Sequence, residues 1–294
     1  MNSIAKQSDK TIDIIIYILL GIVVLSVAYP LYFIVIASFS DPTLVNSGKV
    51  ILLPKKISFE GYTLLINHKD LWTGYRNTIF YTITGTSIGV IMTMMIGYAL
   101  SIKKFMGGKF LMMFLLITLY FHGGLIPTYL LVQKLGLYNT PTIMILFGSV
   151  SVFNIILART FIRSTLSQEL YEAAVIDGCT HIQYFIRVVL PLSKAIIAVL
   201  SLYYGVSYWN EYFKGLIYLT DKELYPLQLF LRSILIENAI DTELLDVEEA
   251  LHQQRLVEII KYGLIIVSSI PVLVIYPFLQ KYFVKGVMIG SVKG

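Results

Sequence analysis

The amino-acid sequence predicts an all-α, polytopic membrane protein: six transmembrane helices in a single domain. The 294 residues are 56% apolar and only 14% charged, with a mean hydropathy of +0.75. Soluble domains carry closer to a quarter charged residues. The apolar residues fall in runs of the length a bilayer core requires, about 20 residues as helix. Lysine and arginine concentrate in alternate connections, the asymmetry that orients membrane helices.

The first run, residues 12–39, follows Lys6 and Lys10. It is too long for the apolar segment of a cleavable signal and is expected to be a retained first span. The next runs cover residues 77–100, 110–132, 142–161, 196–219 and 262–283. Each is expected to be a helix, because in lipid the backbone must satisfy its own hydrogen bonds. Gly123, Gly124 and Pro127 interrupt the third run, and Pro271 and Pro277 the sixth. Such breakers fit either a backbone lining a cavity or the ordinary glycine and proline content of membrane helices. The short connection with Lys103, Lys104 and Lys109 is assigned to the cytoplasm, and with it both termini. Residues 162–195 then form a cytoplasmic loop, and residues 40–76 and 220–261 lie outside. The last of these is acid-rich, with Glu237, Asp241, Glu243, Asp246, Glu248 and Glu249.

The chemistry that is absent narrows the function. The net charge of +5 is modest and spread along the chain, so no nucleic acid is expected. Cys179 is the single cysteine, which excludes an intrachain disulfide and a multi-cysteine metal site. No G-x-x-x-x-G-K-[ST] phosphate loop occurs, so this chain lacks that means of hydrolysing ATP. Ion-coupled transporters carry ionisable residues at membrane depth; here the runs hold little beyond His122, Glu211 and Lys214. No nucleophile–base set or converging carboxylate pair is evident. No catalytic residue, metal or cofactor is expected on this chain, and an energy source is expected on another.

The loop between the fourth and fifth runs is the most informative stretch. Ser167 can cap a helix whose first turn carries Glu169, where negative charge suits the helix dipole. Leu170, Ala173, Ala174 and Asp177 fall on one helical face. Gly178 ends the helix, because glycine enters the left-handed region without steric cost. A second amphipathic stretch runs from His181 to Leu190, and Pro191 closes it. The pattern Glu172-Ala173-Ala174-x-x-x-Gly178, followed by Leu190-Pro191, resembles the EAA loop of permease subunits in binding-protein-dependent ABC importers. The resemblance implies the type I ABC importer permease fold. It also implies docking of Glu172, Ala173, Ala174, Asp177 and Gly178 in a cleft of an ATPase subunit, with Leu190 and Pro191 framing the second helix. Ser167 stands where relatives often have proline, and Cys179 where a small residue is usual.

Other stretches are similar to the carbohydrate branch of that family: residues 38–42, 123–129, 135–140, 209–213, 225–228, 276–286 and 288–294. They look like the second permease of maltose-type importers, in the subgroup associated with complex, often uronate-containing oligosaccharides. The resemblance implies alternating access in the bacterial cytoplasmic (inner) membrane. It implies as partners a second homologous permease, two ATPase subunits (or a homodimer of one) that hold ATP and Mg²⁺, an extracytoplasmic solute-binding protein and membrane lipid. Gly290, Ser291, Val292, Lys293 and Gly294 are expected to reach between the ATPase subunits. The loop 220–261 is expected to meet the binding protein, with a solvated acidic face as the other reading. A path for sugars needs aromatic faces and hydrogen-bonding groups. Tyr120, His122, Tyr129, Tyr204, Tyr208, Trp209, Asn210 and Glu211 are its candidates, and Arg76, His122 or Lys214 would serve an anionic sugar.

Overall fold

The computed structural model describes residues 2–236 and 257–277. The described residues form helices and turns, with no strand among them. In chain order the helices are α1 (Asn2–Ser38), α2 (Pro42–Asn46), α3 (Glu60–Asn67), α4 (Lys69–Ser101), α5 (Gly108–Tyr120), α6 (Leu125–Lys134), α7 (Pro141–Leu146) and α8 (Val152–Thr165). There follow α9 (Gln168–Ile176), α10 (His181–Tyr184), a π-helical turn (Phe185–Val189), α11 (Leu190–Leu192), α12 (Lys194–Trp209), α13 (Phe213–Tyr218) and α14 (Leu227–Ile236). Helix α15 covers Val257–Pro277.

Three helices are long and apolar enough to cross a bilayer: Ile12–Ser38 within α1, then Lys69–Ser101 and Val257–Pro277. Two further candidates are bent: α5 and α6 meet at 113°, and His181–Leu192 meets α12 at 81°. By length and composition the described helices thus give three to five candidate spans. The break in the third run falls where Gly123 and Gly124 predict it. Pro271, by contrast, lies within a continuous α15; a membrane helix tolerates the lost bond where neighbours re-satisfy the carbonyl.

The expected fourth run is not one continuous helix. Residues 142–161 are two helices, α7 and α8, parted at Phe147–Ser151. Gly148 there takes φ +79°, a conformation that ends a helix. The gap is pinned by the Tyr204 phenol, which accepts from the Ser151 N–H at 2.9 Å and shares a 2.6 Å hydrogen bond with the Thr93 hydroxyl. Removing that oxygen leaves the buried Thr93 hydroxyl and the Ser151 N–H without their partner. Tyr204→Phe is therefore expected to destabilise by about 1–3 kcal/mol, read as earlier thermal unfolding in detergent with the chain still membrane-inserted. An unchanged unfolding temperature would remove the phenol as the pin.

The chain divides into two compact units. One comprises the described residues of Met1–His68 and Leu231–Ser269. Its core is Ile36, Ala37, Val45 and Val50, with Phe33 edge-on to Tyr262 at 6.0 Å. Asp41 caps α2 by accepting from the Thr43 N–H at 2.9 Å, and Gly61 lets α3 approach the Ile259 carbonyl.

The other unit comprises the described residues of Lys69–Phe230 and Ile270–Gly294. Helix α4 is its axis, packed against α8 and α12. Small residues make the approach close. A Cβ on Gly97 would sit 2.9 Å from the Ala158 Cβ, and one on Gly89 would sit 2.6 Å from the Ser149 carbonyl oxygen. Gly85 receives the Tyr208 ring. Toward its N-terminal end α4 also fixes the segment before α14. The Asn77 amide donates to the Glu223 and Tyr225 carbonyls at 2.7 and 3.1 Å, and the Thr78 hydroxyl accepts from the Leu227 N–H at 2.8 Å.

Candidate functional site

The α4–α8–α12 packing carries a protruding helical pair, α9 and α10. Ser167 caps α9 by accepting from the Leu170 N–H at 3.3 Å, and Gln168 donates to the Glu172 carboxylate at 3.2 Å. The helix ends with the Gly178 N–H on the Val175 carbonyl at 3.0 Å and the Cys179 N–H on the Ala174 carbonyl at 2.9 Å. That closure needs a left-handed residue, and Gly178 supplies it with φ +75°. A reciprocal capping box between Thr180 and Gln183 then starts α10.

Aromatic rings set the orientation of the pair. Tyr171 stacks on His181 at 5.8 Å and meets Tyr184 edge-on at 5.3 Å. Tyr98 of α4 lies 5.2 Å from Phe185. These rings join a core of Met94, Ala158, Ile162, Tyr184, Val189 and Leu200, against which Tyr171, Ala174 and Leu190 pack. The inward face of α9 is therefore Tyr171 and Ala174. The face through Leu170, Ala173, Ala174 and Asp177 is split, with Ala174 turned inward and the other three exposed. Glu172, Ala173, Val175, Asp177 and Gly178 are all exposed, and Ile176 is 85% exposed. The π-helical turn precedes Pro191, whose missing N–H leaves the carbonyl four residues earlier without its usual donor. The chain then turns 81° at Ser193, whose buried hydroxyl has no hydrogen-bond partner among the described residues.

The cargo candidates fall into separate environments. Tyr208 is buried and donates to the Ile145 carbonyl at 2.6 Å. The Lys214 ammonium lies 5.1 Å from the centre of that ring, pairs with Glu211 at 3.1 Å and donates to the Phe147 carbonyl at 3.0 Å. Glu211 also accepts from the Lys214 N–H at 3.0 Å. Trp209 is buried, 6.2 Å from the Tyr75 ring. Asn210 donates to the Val206 carbonyl at 2.9 Å and accepts from Gln228 at 3.5 Å.

Tyr129 stacks on Tyr218 at 6.1 Å, and Tyr218 meets Phe147 at 5.9 Å. The Tyr138 phenol beside it is pushed above its ordinary range, by burial first and then by its hydrogen bond with Tyr129. Tyr204, Tyr208, Glu211 and Lys214 thus surround the breaks at 147–151 and 210–212. Tyr120 and His122, both exposed, stand apart at the α5–α6 corner. Sequence reasoning missed Asn139. Its side-chain oxygen accepts from the N–H groups of Thr220 and Asp221 at 2.9 and 3.0 Å, from a residue at φ +55°. Asparagine's tolerance of the left-handed region was the available signal. The expected tail contact, Gly290–Gly294, and residues 237–256 of the acid-rich loop lie outside the described residues.

The chain belongs to the family of binding-protein-dependent transport system inner membrane components, which it matches over residues 2–289. It is a multi-pass membrane protein of that permease class. It is 34% identical to the polygalacturonan/rhamnogalacturonan transport system permease protein YtcP of Bacillus subtilis, covering 98% of this chain and all of that protein. It is 27% identical to the arabinooligosaccharides transport system permease protein AraQ of Halalkalibacterium halodurans, over 90% of this chain and 91% of that one. A chain in the crystal structure of a bacterial ABC transporter involved in the import of the acidic polysaccharide alginate superposes with a TM-score of 0.85. The two are 34% identical, and the match covers 94% of this chain and 98% of that one.

Proposed function

We propose that this chain is the permease subunit of an ABC importer for acidic, uronate-containing oligosaccharides, with α9 as the element that an ATPase subunit grips. The carrying observation is the construction of α9: rings fix its inner face, and Glu172, Ala173, Val175 and Ile176 are presented outward. Exposed valine and isoleucine beside a carboxylate make a surface suited to a complementary cleft. Relatives named for polygalacturonan and alginate support the acidic cargo. In this reading the chain makes six crossings, with the fourth broken between α7 and α8 and both termini in the cytoplasm. A second permease, two ATPase subunits that hold ATP and Mg²⁺, and a solute-binding protein complete the transporter. The loop 220–261 meets the binding protein, and residues 290–294 lie between the ATPase subunits.

The test is to purify the chain with the products of its neighbouring genes and measure ATP hydrolysis in liposomes. Binding protein loaded with an oligogalacturonate is expected to stimulate hydrolysis, and the same protein with a neutral oligosaccharide is not. Failure to co-purify with any ATPase would end the importer reading. Equal stimulation by both sugars would end only the acidic one.

A further inference from the structure

We propose that the cleft between α9 and the α4–α5 connection binds the phosphodiester headgroup of an anionic phospholipid. The cleft has a volume of about 1030 Å³, at the upper end of small-molecule sites. Lys103 and Lys104 line it from the connection and Arg163 from the end of α8. All three are exposed. Among the described residues no ion pair engages Lys103, Lys104 or Arg163. One carboxylate, Glu172, lines the cleft against them, on the α9 side and engaged by Gln168. Arg159 adds a further cation next to the site, donating to the Leu100 carbonyl at 2.9 Å. Unpaired cations at the end of a membrane helix attract anionic headgroups, and basic pockets there hold phosphates.

A second set of side chains selects the lipid over free phosphate. Phe105 and Met106 line the same cleft, 40% and 94% exposed, and Phe110, 72% exposed, follows at the start of α5. They stand where α4 ends and the next apolar segment begins. A free anion has no use for them. A phospholipid places its phosphate on the lysines and its acyl chains along Met106 and Phe110. The site uses none of the cargo candidates, so it is independent of the identity of the sugar. Glu172, Val175 and Ile176, proposed above for the ATPase subunit, form its far wall, so lipid and ATPase meet at that edge and the lipid must be retained in the assembled transporter.

The experiment uses the assembled transporter in nanodiscs of phosphatidylcholine with or without phosphatidylglycerol, with retained lipid counted by native mass spectrometry. Phosphatidylglycerol is expected to be retained preferentially. The triple variant Lys103→Gln, Lys104→Gln, Arg163→Gln is expected to lower its apparent affinity by about 100-fold, from three surface-type charges. Lys109→Gln, which lies outside the cleft, is expected to leave it unchanged. Retention by the unmodified protein is expected to fall with rising salt, which tests the site even if the triple variant assembles poorly. Three results would overturn the proposal: equal retention of both lipids, displacement by millimolar inorganic phosphate, or retention only once the ATPase subunits are stripped away.

Discussion

Gly178→Pro is expected to abolish substrate-stimulated ATP hydrolysis and transport while the chain stays in the membrane at normal levels. The reason is local. Gly178 holds φ +75°, whereas proline is fixed near −65° and has no N–H. The substitution therefore removes the hydrogen bond to the Val175 carbonyl and misdirects the chain into Thr180. The capping box at Thr180 loses its register, and the α9–α10 pair no longer presents Glu172 and Ile176 together. Gly178→Ala grades the effect. A Cβ there meets nothing within 4 Å, so its cost is backbone strain alone, roughly 1–2 kcal/mol, and partial activity is expected. Glu172→Lys leaves the fold intact, because the residue is exposed, and is expected to abolish coupling by reversing the charge of the gripped surface. Normal uptake by the proline and lysine variants would remove α9 from energy transfer.

The second large effect is expected from Lys214→Met. Lys214 is 15% exposed and Glu211 18% exposed by side chain, so the pair is largely withdrawn from solvent. Removing the ammonium leaves the Glu211 carboxylate uncompensated and the Phe147 carbonyl without its donor. Loss of one partner of a buried pair costs about 3–5 kcal/mol, and residual exposure places this case near the lower end. The variant is expected to lose thermal stability, and the double variant Lys214→Met, Glu211→Gln to recover part of it. The same measurement separates two roles for Lys214. If it is a strut between α13 and the α7–α8 break, the double variant transports. If it is the cation that meets an anionic sugar, stability returns but uptake does not.

Local chemistry made much of this structure readable in advance. The Ser167 cap and the Gly178 stop depend only on near neighbours, and both appear where their residue types predict them. The α5–α6 corner follows from adjacent glycines in the same way. The break at Phe147–Ser151 does not. Gly148 alone reads as an ordinary membrane-helix residue, and the gap it opens is held by a phenol 53 residues beyond Ser151, Tyr204. The split face of α9 likewise depends on distant residues. Periodicity grouped the two alanines, but Tyr171 decides the inward side through rings on α4 and α10. The cargo candidates were selected by residue type, and type does not tell a lining aromatic from one already engaged. Tyr208, Glu211 and Lys214 have spent their polar atoms on the two broken helices, whereas Tyr120 and His122 remain exposed.

The glycine face of α4 has a consequence for how the protein is made. Its partners on α8 and α12 lie far along the chain, α12 roughly a hundred residues downstream, which synthesis at 5–20 residues per second supplies after about 5–20 s. For that interval Gly85 lacks the Tyr208 ring and Thr93 has yet to meet Tyr204, while Gly89 and Gly97 wait only for Ser149 and Ala158, which come sooner. The nascent helix waits with a bare, polar-flecked groove. Any factor that shields it during insertion would recognise this transient surface, which the finished protein no longer displays.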